Sequence, residues 1–244
     1  MPHKPHRSGF SRFEIAQVLE DAILGGEFRP GDRLPEMRIA QEMGVSQASV
    51  REALQDLESR GLVVKYPNRG SSVIDLSSQD LVQMYQIRRA LEPLAGGLAA
   101  THMSNEALIE LHACVEAMRI ADGVADLKSF SRADIQFHRL IWSQQPNRYL
   151  ERSLQTISMP LFAFDLIRRN PSSNVNYDRA IRQHHVIYQA LRSRDATLVV
   201  RVLDRMNQQW LRQDLKDYER LRATEPAHQP RTTVQSLSFL RKTH

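Results

Sequence analysis

A single cysteine, Cys114, stands in the 244 residues. It excludes an intrachain disulfide and every zinc module built on paired cysteines, and leaves Cys114 to be read as a small apolar residue in a helix core. No apolar run approaches the roughly 18 residues of a membrane span. The opening MPHKPHRSGF lacks the apolar centre of a signal peptide, so a cytoplasmic location is expected. Basic excess is missing where it would be most telling. The net charge is +5, yet residues 1–74 carry 10 Lys+Arg against 10 Asp+Glu, so an anionic partner must be argued from where charges fall. There is no internal repeat, and strand-like segments vanish after Ser77. A hydrophobic content of 41% with 25% charged residues is that of a folded chain, and the length suits two domains.

What is present begins with Ser11-Arg12-Phe13-Glu14, a capping box that starts a helix running to Gly25-Gly26. Ile15, Val18, Leu19, Ala22 and Ile23 form its apolar face, and Pro30-Gly31-Asp32 forces a turn. A short second helix carries Met37, Ile39, Ala40 and Met43 and ends at Gly44. Ser46 is suited to cap a third helix through Val50, Ala53, Leu54 and Leu57, ending at Gly61. Residues 62–66 and 71–74 then read as a two-stranded hairpin around Pro67-Asn68-Arg69-Gly70. From Ser77 apolar residues recur at helical spacing. Breaks at 103–104, 122–123, 145–146, 170–171 and 194–195 define about six long helices, and Pro160 is expected to kink or divide one of them.

Helix, turn, helix, tight turn, helix is the helix-turn-helix order, in which the third helix lies in the major groove. Its groove-facing candidates are Ser46, Gln47, Ser49 and Arg51. A Gln amide pairs with adenine, a guanidinium with guanine, and hydroxyls with bases or phosphates. These residues could instead simply solvate a helix face. The hairpin tip weighs against that, since Arg69 beside Gly70 places a guanidinium on a slim projection that no core requires.

The strings Gly-Glu-Phe-Arg-Pro-Gly-Asp-Arg-Leu-Pro-Glu (26–36), Gly-Val-Ser-Gln-Ala-Ser-Val-Arg-Glu-Ala-Leu (44–54), Gly-Leu-Val (61–63) and Arg69-Gly70 resemble the GntR-family winged helix over nearly all of residues 12–75. The resemblance implies DNA binding through Arg38, Ser46, Gln47, Ser49, Arg51, Arg69 and Gly70. Two positions depart from it. The family often has Arg after the Glu of Leu-Pro-Glu and after the Ser that opens the recognition helix, where this chain has Met37 and Gln47. Arg38 follows one place later, and Arg51 is retained, so guanine readout is expected to differ from that of other members.

In the helical part, Asp134 and His138 lie four apart on one helix face. Such a pair serves either as two ligands of a metal or as a hydrogen-bonded helix pair, and spacing alone does not connect it to His184. The segments Ile87-Arg88-Arg89-Ala90-Leu91-Glu92, Asp134-Ile135-Gln136-Phe137-His138, Asn147, and His184 with Ala190 and Arg194-Asp195-Ala196 resemble the all-helical sensor (FCD) domain of the FadR-type GntR subfamily. That resemblance implies a divalent metal held by one Asp and three His, and a carboxylic acid as effector. Asp134, His138 and His184 match three ligands. The fourth position holds Met206, whose thioether is a poor ligand for zinc, manganese or nickel compared with imidazole or carboxylate. Three protein ligands still hold a metal if water or an effector carboxylate completes the shell. In a metal-free pocket the histidines would bind the effector directly. Arg88 is a candidate counter-charge for an anion, or one half of an interhelix salt bridge.

The expected fold is mainly α, a winged helix-turn-helix of three helices and a β-hairpin joined to an all-α bundle. Residues 1–10 are expected to be a flexible arm, 11–76 the DNA-binding domain, 77–222 the effector-binding and dimerisation domain, and 223–244 a disordered tail. The expected function is that of a ligand-responsive regulator, a repressor that binds an inverted-repeat operator as a homodimer under control of a small organic acid. Two rivals are weighed against it. A metal-dependent helical hydrolase with a DNA-binding appendage is disfavoured because no adjacent His-Asp dipeptide or His-Glu-x-x-His motif occurs. An adaptor winged helix without a small ligand would be disfavoured by a pocket lined by Asp134, His138 and His184, and favoured by a tightly packed apolar interior.

Overall fold

The computed structural model describes residues 10–168, 177–224 and 240. The chain divides after Asp75 into two compact units, and Leu240 near the C-terminus belongs with the first of them. In the first, α1 (Arg12–Leu24) opens on the Ser11/Glu14 capping box, in which the Ser11 amide donates to Glu14 and the Glu14 amide to Ser11 Oγ. Ile15, Leu19 and Ile23 are fully buried, and α1 packs on α3 (Gln47–Ser59). The helix α2 (Glu36–Met43) ends at Gly44, whose φ of 66° is the left-handed conformation that lets the chain turn at once into α3.

The hairpin is formed by β2 (Val63–Tyr66) and β3 (Gly70–Val73). A strand that the sequence reading lacked, β1 (Arg33–Leu34), pairs antiparallel with β3 and gives the sheet order β1-β3-β2. Two residues carry no periodicity, so only the pairing with β3 makes them a strand. The wing tip is exposed, with Asn68 at φ 60° and Gly70 at φ 79°.

The second unit is helical throughout its described residues: α4 (Ser78–His102), α5 (Asn105–Gly123), α6 (Leu127–Ser143), α7 (Arg148–Arg168), α8 (Asp178–Arg192) and α9 (Ala196–Thr224). A second capping box, Ser77 with Asp80, starts α4. The long helices α4 and α9 pack most extensively, and Gly96 and Gly97 make this possible. A Cβ on Gly96 would run into Leu203, and one on Gly97 would sit 2.8 Å from Val200. Around this pair, α5 packs on α6 and α8, and α7 on α4 and α6.

Pro160 does not divide its helix, since α7 is continuous from Arg148 to Arg168. A proline removes one backbone bond, and packing on α4 and α6 supports the rest of the helix. The break expected at 170–171 lies outside the described residues, as do nearly all of the expected tail and arm. Within the tail, α9 continues to Thr224 and Leu240 is buried. Cys114 is buried and free on α5.

Candidate functional site

The first unit places the residues expected to contact DNA on α2, on α3 and at the wing tip. Ser46 caps α3, its hydroxyl accepting from the Ser49 amide at 3.1 Å and lying 2.9 Å from Ser49 Oγ, so both hydroxyls are partly committed to the cap. Gln47 and Arg51 are exposed one turn apart on α3, while Val50, Ala53, Leu54 and Leu57 are buried on its other face. Glu36, absent from the sequence expectations, lies between α2 and α3. Its Oε2 accepts from Gln47 Nε2 (3.2 Å) and from Arg51 Nε (3.1 Å) and Nη2 (2.9 Å). Met37 is exposed and Arg38 half-buried on α2, and Arg69 and Gly70 stand at the exposed wing tip.

In the second unit the structure supplies the link that spacing did not. Asp134 and His138 from α6 meet His184 from α8, with one ligand atom from each lying within 4.8 Å of the others. Both histidines are buried. His184 Nδ1 lies 2.7 Å from the Ala180 carbonyl, an acceptor only, so Nδ1 carries the proton and a neutral ring offers Nε2 as a lone pair. His138 Nδ1 lies 2.9 Å from Glu92 Oε1, which orients that ring the same way. The two Nε2 atoms face Asp134 Oδ1 at 2.8 Å (His184) and 3.5 Å (His138).

His184 Nε2 and Asp134 Oδ1 face each other at 2.8 Å, and both atoms are buried with no other hydrogen-bond partner. Converging lone pairs of this kind are complete only with a cation among them, either a proton or a metal ion. Burial alone would depress the His184 pKa, but Asp134 outweighs it and raises the pKa above the usual histidine value. For Asp134, burial works to raise the pKa, and His184, His138 and Arg88 together bring it below the usual carboxylate range.

Behind the triad lies a second layer centred on Glu92 of α4, which is fully buried. Its carboxylate accepts from Arg88 Nη2 (3.0 and 3.2 Å), Asn207 Nδ2 (2.8 Å), His138 Nδ1 (2.9 Å) and Trp142 Nε1 (3.3 Å). Burial opposes ionisation, yet Arg88, His138 and Asn207 hold the Glu92 carboxyl well below its ordinary range. Arg88 is thus not an open counter-charge. Its side chain is buried and its charge is met by Glu92, though Arg88 Nε has no partner. Phe162 and Trp210 wall the site, with centroids 5.3 and 5.4 Å from the His138 ring and 5.5 and 5.4 Å from the Arg88 guanidinium carbon.

Asp134, His138 and His184 come together as the resemblance implied, and Met206 is buried on α9. Glu92, Asn207, Phe162 and Trp210 were missed. The one available signal was Glu92 four residues after Arg88, a charge inside the apolar run Leu91 to Ala95.

Comparison with known proteins matches residues 83–209 to the FCD domain and residues 12–73 to the bacterial regulatory proteins of the gntR family. The chain is 32% identical over 198 residues to a probable D-xylose utilization operon transcriptional repressor of Paenarthrobacter nicotinovorans, covering 79% of this chain and 85% of the relative. It is 24% identical to the gluconate operon transcriptional repressor of Bacillus subtilis (strain 168), covering 82% and 87%. Among solved structures, a putative transcriptional regulator GntR from Rhodococcus sp. RHA1 superposes with a TM-score of 0.66 at 25% identity, covering 84% of this chain and 97% of that one. Escherichia coli McbR/YncC has the same fold, with a TM-score of 0.66 at 22% identity over 86% and 97%. These relatives are transcriptional regulators and not enzymes, and no described helix is long and apolar enough to cross a membrane. With both of its units matched, the chain belongs to the GntR family of bacterial regulatory proteins, as a DNA-binding winged helix followed by an FCD domain.

Proposed function

We propose that the protein is a repressor that binds an inverted-repeat operator as a homodimer and responds to a small carboxylic acid captured in the helical unit. Residues 11–76 bind the operator, and residues 77–222 bind the effector and dimerise. The observation that carries the effector site is the convergence of Asp134 Oδ1, His138 Nε2 and His184 Nε2, with both imidazole Nδ1 atoms anchored behind them. This donor set suits zinc, manganese or nickel. A divalent ion bound there would supply positive charge for a carboxylate, and Met206 in place of a fourth ligand leaves a position for it. Aromatic walls from Phe162 and Trp210 fit the apolar part of such a ligand. One relative is a gluconate operon repressor, and gluconate is itself a hydroxy acid.

The test is a thermal-shift matrix of zinc, manganese and nickel against small carboxylic acids, followed by DNA binding with each active pair. Ligand at about 100 times its dissociation constant stabilises the folded state by about 2.7 kcal/mol. Metal and acid together should raise the midpoint beyond the sum of their separate effects and release DNA selected from a random pool. A shift with acid alone, unaffected by chelator, would overturn the metal site and leave the histidines as direct contacts. A matrix in which no ion, acid or combination moves the midpoint would refute the effector site.

A further inference from the structure

Helix stability favours an acidic residue in the first turn of α2, but it does not ask Glu36 to reach across to α3 as it does. Glu36 stands at the first position of α2, its side chain is 19% exposed, and one oxygen accepts three hydrogen bonds from two exposed side chains of the next helix. A partly exposed ion pair of this kind contributes little to stability. A carboxylate on a surface that approaches DNA also repels phosphate. Burial would raise the Glu36 pKa, but the bonds from Arg51 and Gln47 lower it, so the group is ionised at neutral pH.

Counting donors shows what the contact leaves free. Arginine has five N–H groups. Glu36 occupies Nε and one hydrogen of Nη2, so the Nη1–Nη2 end remains, the edge that bonds guanine O6 and N7. The Gln47 nitrogen must face the carboxylate as a donor, which leaves its second N–H and its Oε1, the pair that matches adenine N7 and N6. One carboxylate therefore fixes both side chains with their reading edges open. It also neutralises a guanidinium that would otherwise attach to any phosphate.

We infer that Glu36 is a specificity-determining residue of operator recognition, one that positions Arg51 and Gln47 for base contact and suppresses sequence-independent binding by Arg51. The inference rests on the reading of Arg51 and Gln47 as base contacts. Glu36 touches no base in this scheme; it acts through its two partners.

The test uses the full chain and duplexes that the wild type selects from a randomised pool, with a scrambled duplex of the same composition as reference. Dissociation constants are measured for both between about 50 and 200 mM salt, the range over which phosphate contacts show in the slope. Arg51→Ala should lower the ratio of selected to scrambled affinity by about tenfold to a hundredfold. Glu36→Ala should tighten binding to the scrambled duplex, lower the ratio by at least about fivefold, and steepen the salt slope by about one phosphate contact. Glu36→Gln keeps an acceptor without the charge. It should restore part of the ratio while scrambled-duplex affinity stays raised, an outcome that a purely structural role for Glu36 would not give. The double variant Glu36→Ala with Arg51→Ala should lose less of the ratio than the two single losses multiplied together, because Glu36 acts in part through Arg51 and only its hold on Gln47 remains to be lost. If Glu36→Ala and Glu36→Gln change both affinities by one common factor while Arg51→Ala still lowers the ratio, the inference is overturned and the base-contact reading stands. If Arg51→Ala and Gln47→Ala leave the ratio intact, the base-contact reading fails and the inference with it.

Discussion

Removing the Glu92 carboxylate tests whether the buried network supports the helical unit. Glu92→Ala would leave the buried Arg88 guanidinium without its counter-charge, and would strip the acceptor from His138 Nδ1, Trp142 Nε1 and Asn207 Nδ2. Breaking a buried ion pair from one side costs about 3–5 kcal/mol, and each buried donor left unpaired about 1–3 kcal/mol more, with substantial overlap. A loss of at least about 4 kcal/mol is expected, a large share of the roughly 5–15 kcal/mol that holds a domain together. Glu92→Gln should cost less, since one oxygen still accepts. Arg88→Met with Glu92→Gln should recover part of the single Glu92→Ala loss, because no unpaired guanidinium remains. Both tryptophans, Trp142 and Trp210, lie in this unit, so urea unfolding followed by tryptophan fluorescence reports on it and not on the winged helix. On heating with the same fluorescence readout, at about 2–4 °C per kcal/mol for a unit of this size, the thermal midpoint should fall by at least about 8 °C. A Glu92→Ala protein within about 1 kcal/mol of wild type would refute the reasoning.

Met206→His should strengthen binding of zinc or nickel without any acid, measured by calorimetry, since it supplies the imidazole that the three-ligand set lacks; unchanged affinity would count against a metal among Asp134, His138 and His184. His184→Ala should abolish both the metal-dependent thermal shift and the acid response on DNA. Arg69→Ala should weaken selected and scrambled duplexes alike and flatten the salt slope, as expected of a wing-tip phosphate contact; a loss confined to selected DNA would make it a base reader. Limited proteolysis should cut between residues 75 and 79 and release a folded helical fragment beginning near residue 77, detected by mass and circular dichroism.

Legibility in the sequence followed the range of the interaction. Ser11, Ser46 and Ser77 each cap a helix through partners three residues away, and such caps are visible in a string of letters. Gly44 was readable for the same reason, since a left-handed turn is a property of one residue. Asp134 and His138 shared a face by helical spacing, but His184 reached them only through the packing of α8 on the bundle. Glu92 was legible only as a charge four residues after Arg88, because its other partners lie 46, 50 and 115 residues away, and the burial of a carboxylate is set by those distant surroundings. Strand β1 escaped because it exists only against β3. Pro160 did not divide α7, because a local rule about one missing donor gave way to the packing of that helix.

Glu92 also determines when the site comes into being. In small zinc modules the ligands are scattered until the ion gathers them, so capture and folding are one event. Here the Glu92 carboxylate at the centre of the supporting layer is satisfied by the protein alone: α4 supplies Arg88, α6 supplies His138 and Trp142, and α9 supplies Asn207. The helices are tied together before anything enters, while the inner Asp134 Oδ1 and His184 Nε2 stay unmet, as do Arg88 Nε and Asn207 Oδ1 behind them. A chelator should therefore empty such a site and leave the bundle standing. Occupancy then becomes a quantity that a cell can vary freely, without drawing the regulator into cycles of unfolding and degradation each time its signal disappears.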